Sequence, residues 1–121
     1  MATNTTNIYS LSEGIQTLAF NALQTTSATV SEPFAVPPGK GSLGRAITWQ
    51  ASYAVAPGAV SLNLQGAFND VEAEYAILDT STAVGGETKT VLNCTYRFVR
   101  TKQVSRTGDT AYTTIRLWLA Q

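Results

Sequence analysis

The 121-residue chain contains no histidine. That removes the commonest general base and the commonest metal ligand. It also rules out a Ser-His-Asp or Cys-His nucleophile. There is one cysteine, Cys94, so no disulfide forms within the chain, and a single thiol does not report a redox compartment. Without a histidine, only Lys or Arg could activate that thiol. Flanked by Asn93 and Thr95 beside a strand pattern, Cys94 reads as a small buried filler. Charge is scarce too, at 13% of residues against about 25% in an average domain. Eight basic and eight acidic side chains cancel, and the basic ones are scattered apart from Arg97, Arg100, Lys102 and Arg106. A nucleic-acid partner would require a basic footprint that neutralises phosphates, so none is expected. No apolar run approaches the ~18 residues of a membrane span. The first seven residues carry neither a basic n-region nor an apolar h-region, so no secretory signal is expected.

The chain is instead rich in strand formers. Threonine occurs 18 times, and Val, Ile, Tyr, Phe and Trp add to the β-favouring set. Apolar residues reach 44%, which is too many for a disordered chain. Residues 1–10 read as a flexible N-terminal arm and 11–121 as one domain. The clearest strand is Arg45 to Val55, with Ile47, Trp49, Ala51, Tyr53 and Val55 on one face and Thr48, Gln50 and Ser52 on the other. After the Ala56-Pro57-Gly58-Ala59 turn, Val60, Leu62 and Leu64 alternate with Ser61, Asn63 and Gln65. The two runs read as a hairpin. Further strands are expected at Ala28 to Val36, Tyr75 to Asp79, Thr88 to Leu92 and Thr95 to Val104, the last with Tyr96 and Phe98 sharing a face. Thr113 to Leu119 closes the chain, with Ile115, Leu117 and Leu119 facing the core. Ile15 to Leu23 fits either a strand or a short helix capped by Ser12, although Gly14 weakens the helix. About eight strands separated by turns every 8–12 residues predict an all-β fold, an antiparallel two-sheet sandwich of jelly-roll type.

Motif searches return little chemistry. Gly39, Gly41 and Gly44 match G-x-G-x-x-G, but Pro37-Pro38 precedes them and a β-alternating run follows. The nucleotide reading needs a strand before and a helix after. Asp70, Glu72 and Glu74 fall at alternate positions. If extended, they would share one side and could bind Ca²⁺, act as an acid/base pair, or form a solvated loop. Asn4-Thr5-Thr6 and Asn93-Cys94-Thr95 match the glycosylation pattern, which carries no meaning without secretion. Trp49 and Tyr53 lie on a core face. Trp118 lies between the core-facing Leu117 and Leu119 and so points outward, with Arg116 beside it. An outward Trp next to an Arg has the composition of an interface hot spot. A neighbouring loop or the arm could equally cover it. With Ile8 and Tyr9 at the end of the arm, Arg116 and Trp118 are the expected interface residues.

The stretch Val60 to Leu119 resembles small β-sandwich proteins of tailed-phage virions. The shared pattern begins with an alternating strand ending in glycine (Val60 to Gly66), a polar turn at Asn69-Asp70, and Tyr75-Ala-Ile-Leu-Asp-Thr-Ser-Thr82. It continues with a Gly85-Gly86-Glu87 turn, the strand Tyr96-Arg97-Phe98-Val99-Arg100, and Thr107 to Leu119. Val71 departs from it, standing where the pattern has a turn glycine. The resemblance implies a head decoration, or cement, protein: non-enzymatic, often trimeric, bound between major capsid subunits of the virion, with no cofactor and no small-molecule substrate. The competing expectation is a carbohydrate- or receptor-binding module of a tail or fibre. A surface of zero net charge is poorly defended against association, which suits a protein built to pack against others.

Overall fold

Strand β10, Thr113–Leu119, buries Thr113, Ile115, Leu117 and Leu119 and leaves Thr114, Arg116 and Trp118 half-buried on its other side. The computed structural model describes residues 9–38 and 44–120. Within it β10 pairs antiparallel with β5 (Arg45–Tyr53) and with β2 (Thr17–Leu23), and β8 (Glu87–Cys94) completes a four-stranded sheet. The second sheet runs β1 (Tyr9–Ser10), β4 (Phe34–Ala35), β9 (Phe98–Thr107), β6 (Ala59–Ala67), β7 (Ala76–Ser81), with β3 (Thr29–Val30) also on β9. The chain is therefore an all-β sandwich of two sheets. Between the named strands all pairing is antiparallel except the two-residue contact of β1 with β4, and Glu13 adds an isolated parallel bridge to Leu119.

β3 and β4 are two pieces of one extended segment along β9. Pro33 interrupts it, having no N–H to give a ladder. Ser31 patches the gap: its N–H donates to Thr101 O at 2.8 Å and its Oγ accepts from Thr101 N at 3.0 Å. With that segment counted once and the short β1 set aside, the strand orders are 1-8-3-6 and 2-7-4-5. This is the double Greek-key winding of a jelly roll. Six of the seven connections cross from one sheet to the other, and only β6 to β7 turns back within a sheet.

That winding corrects the expected hairpin at 45–64. β5 lies between β10 and β8, and β6 lies between β9 and β7 in the opposite sheet. Two strands with one apolar face each can pair side by side or stack face to face; alternation alone does not choose. Here they stack, with Trp49 on one side and Leu62 and Leu64 on the other, all buried. Val55 falls outside β5 and is exposed. The turn at Thr107-Gly108-Asp109 likewise carries the chain between sheets. The ambiguous segment at 15–23 is a strand over Thr17–Leu23, and Ser12 caps no helix.

The core joins Ile47, Trp49 and Ala51 of β5 and Ile115, Leu117 and Leu119 of β10 to Val60, Leu62 and Leu64 of β6, Val99 of β9, Phe20 and Phe34. Each Val, Leu, Ile or Phe among them stabilises the fold by about 1.5–3 kcal/mol on burial. Cys94 is part of this cluster, and burial pushes its thiol pKa up.

One end of the interior is polar. A bulge at Val104 shifts the phase of β9, so that Thr101 and Gln103 face inward before it and Arg106 faces inward after it. Gln103 Nε2 donates to the carbonyls of Thr25 (2.9 Å) and Ser27 (3.2 Å). Thr113 Oγ1 donates to Gln103 Oε1 at 2.7 Å. Arg106 donates to Thr113 Oγ1 and to the carbonyls of Leu23 and Gln24. The loop after β2 is thus held down by side chains from the opposite sheet. Phe98, expected on the same face as Tyr96, points away from the core, while Tyr96 precedes the strand and packs against the core.

Every sheet edge is short or irregular. β1 has two residues. β2 is bulged twice, between Phe20 and Leu23 and between Leu18 and Phe20, with Ala22 at a φ of 53°. β7 is bulged at Leu78 and β8 near Asn93, which has a φ of 57°. Bulges and brevity discourage strand addition by a neighbour.

Candidate functional site

Three of the expected interface residues, Tyr9, Arg116 and Trp118, lie around β2. Ile8 lies outside the described residues. Tyr9 is exposed and forms one wall of a groove of about 270 Å³, lined also by Thr17, Leu18, Ala19, Glu32 and Phe34. The groove lies where the β2 edge of one sheet faces the β1–β4 edge of the other. Arg116 and Trp118 stand two residues apart on the outer face of the four-stranded sheet, both half-buried. Leu18 links the two places: it lines the groove and is the register partner of Arg116. It is 45% exposed, and Ile15 nearby is 64% exposed. Both belong, with Phe20 and Leu23, to the segment 15–23 whose sequence fits either a strand or a helix. The two bulges break the alternation that would have separated them.

The rest of that outer face is uncharged. Thr48, Gln50 and Ser52 of β5 oppose Trp118, Arg116 and Thr114, and Thr90 and Thr88 of β8 oppose Thr48 and Gln50. Thr48 and Thr90 share a hydroxyl hydrogen bond of 2.9 Å. Arg116 has no ion pair among the described residues. The face is polar and carries one cation beside one large aromatic.

The three alternate carboxylates do not converge. Residues Glu72–Glu74 form a 3-10 turn, which ends the alternation. Asp70 Oδ1 accepts from Tyr75 Oη at 2.7 Å. Glu74 accepts from Asn69 Nδ2 at 3.2 and 3.4 Å. Glu72 grips Arg100 through both oxygens. Among the described residues no three potential metal ligands come together. Gly39 and Gly41 lie outside the described residues, and a strand follows Gly44 in place of the helix a nucleotide loop needs. At Gly44 itself a Cβ would meet the Asn93 carbonyl carbon at 2.5 Å, so this glycine serves close backbone packing.

At the margin opposite the groove, the two sheets are clasped by charge. Asp79 of β7 accepts from Trp49 Nε1 of β5 at 3.0 Å and pairs with Lys89 Nζ of β8 at 2.9 Å. Burial pushes the Asp79 carboxyl up, but hydrogen bonds from Lys89, the Trp49 indole and the Thr80 N–H outweigh it, and the pKa falls below the ordinary 3.8. Glu72 is held below 4.5, chiefly by its hydrogen bonds from Arg100. Both groups are more acidic folded than unfolded. Their stabilisation is therefore present above the unfolded values and is lost as pH falls through the lower folded ones. The expected result is a melting temperature that is level above about pH 5 and falls below about pH 4. Asp79→Asn should flatten that fall. An Asp79→Asn profile as steep as wild type would show that the clasp is not what titrates.

No protein-family model matches the chain, and no curated protein matches its sequence. Among solved structures, the chain is similar to the crystal structure of SPBc2 prophage-derived protein YomS. The TM-score is 0.59 with 15% identity, over 87% of this chain and 90% of that one. At that identity the likeness shows a shared fold across nearly the full length of both chains.

Proposed function

We propose that this protein is a structural component of a phage virion, a head decoration protein that binds between major capsid subunits, as a homotrimer, and performs no chemistry. The observation that carries the reading is the likeness to a prophage-derived protein over 87% of the chain, joined to the virion-protein pattern at 60–119. The surface supports the same reading. The outer face around Arg116 and Trp118 is uncharged apart from Arg116, so docking it against a partner desolvates one cation only. Leu18 and Tyr9 extend the apolar area around its margin. The bulged edges favour packing by faces over strand exchange.

The test is binding to capsids that lack the protein, followed by cosedimentation. Trp118→Ala should weaken binding by roughly 30-fold or more, the effect of losing a hot spot of about 2 kcal/mol or above, while the melting temperature of the free protein stays within a few degrees of wild type. Unchanged binding by Trp118→Ala removes this face from the interface. Absence of the protein from purified heads overturns the decoration role. A second reading, a glycan- or receptor-binding module, draws on the exposed Phe68, whose ring lies 4.9 Å from that of Tyr96. A specific hit on a glycan array that Phe68→Ala abolishes would favour it.

A further inference from the structure

We infer that Arg100 is a preformed carboxylate-binding site which Glu72 occupies in cis, and that an acidic side chain of a partner protein takes the same site when Glu72 turns away. This reading stands independently of the virion proposal.

The receptor half is built into the sheet. Arg100 is 3% exposed. Its Nε donates to Gln65 Oε1 at 2.7 Å, and Gln65 Nε2 donates in turn to Asn63 Oδ1 at 3.0 Å. The Tyr75 ring covers the guanidinium face, 3.9 Å from its central carbon. Tyr75 is itself fixed by its hydroxyl donating to Asp70. Two direct contacts, each braced by a further residue, thus hold the guanidinium plane, and both terminal nitrogens donate to the one carboxylate. A planar fork with two parallel N–H donors matches a carboxylate.

The occupant half is held much less firmly. Glu72 belongs to a three-residue turn with no side-chain cap, and its side chain is 62% exposed. It can rotate into water without any change of backbone. The guanidinium cannot follow, and a buried cation without a counterion is costly. The vacancy therefore attracts another anion. Lys102 on the same strand adds positive potential. Asp70 is engaged with Tyr75 and Glu74 with Asn69, so each has a hydrogen-bond donor other than Arg100.

Glu72→Ala empties the site while leaving the receptor intact. The probe is acetate, compared with chloride and phosphate at equal ionic strength. With acetate at about ten times its dissociation constant, the melting temperature of Glu72→Ala should rise by about 5–6 °C over chloride, and the wild type should not respond. A crystal of Glu72→Ala grown in acetate should show the ion bidentate on Arg100. Combining Glu72→Ala with Arg100→Lys should abolish the response, because an ammonium lacks the fork. If that double variant fails to fold, the crystal carries the test alone. No acetate-dependent rise in Glu72→Ala overturns the site. An equal rise in wild type overturns occupancy by Glu72. A response to phosphate as large as that to acetate overturns the assignment to carboxylates.

Discussion

Trp49→Ala should cost about 3–5 kcal/mol of unfolding free energy, a large part of the roughly 5–15 kcal/mol that holds a domain of this kind together. The side chain is among the largest that the fold buries completely. It stands at the middle of β5, flanked by Leu117 of β10 and Lys89 of β8 in register. No neighbour can collapse into the space, because β10 and β8 hold β5 from both sides. The indole N–H adds a second loss, since Asp79 would keep only Lys89 and the Thr80 N–H. Trp49→Phe separates the two effects: it keeps most of the volume and removes the donor, and should cost about 1–2 kcal/mol. Urea unfolding of both variants checks this. A loss below 1 kcal/mol for Trp49→Ala would mean that the centre of the sandwich repacks freely, contrary to the packing described.

Arg106→Met is the second large effect, and its sign is less obvious. Arg106 is 3% exposed and has no ion pair among the described residues. Its Nε finds no hydrogen-bond partner either. Replacing a buried charge by an apolar side chain of similar size is often neutral or stabilising. Here, however, the guanidinium serves two backbone carbonyls and a threonine hydroxyl. Each bond from a charged donor contributes about 1.5–3 kcal/mol, and a methionine leaves all three acceptors without it, the threonine hydroxyl buried and the two carbonyls part-buried. The bonds outweigh the relief from desolvation, and a net loss of about 2–4 kcal/mol is expected. Residues 24–28 should also exchange their amide hydrogens faster, because one of the two side chains that tie this loop to the other sheet is gone and only Gln103 remains. Arg106→Met as stable as wild type, with unchanged exchange in the loop, would show that the polar end of the interior does not hold that loop.

How much of this was legible in the sequence depended on where water lies. β5, β6 and β10 each have one face in the core, and the alternation of Ile47-Trp49-Ala51, Val60-Leu62-Leu64 and Ile115-Leu117-Leu119 announces them. β9 was harder to read, because its inner face carries Thr101, Gln103 and Arg106, and the bulge at Val104 changes its phase midway. Alternation tells which face is buried and is silent about which strand lies alongside, so the pairing of β5 with β6 was misread. Around the candidate interface, Trp118 was legible from its neighbours Leu117 and Leu119. Leu18 was not, since bulges on β2 place it outside. The Arg100–Glu72 clamp joins residues 28 positions apart in different elements, and no local pattern encodes it.

The winding of the chain has a consequence for how it is made. Because all but one connection passes between the sheets, neither sheet can be completed while the other is missing. Among the described residues the 59–81 hairpin is the sole long pairing that needs no loop to be closed across the molecule. Every other ladder must first meet the entropy of bringing distant segments together. Such a chain is expected to acquire its structure slowly, in milliseconds to seconds, and in a single step. A nascent chain or proteolytic fragment ending before residue 113 lacks the central strand of one sheet. It would leave Trp49 and its neighbours open to water, so the final seven-residue strand decides whether any of the preceding ones persist.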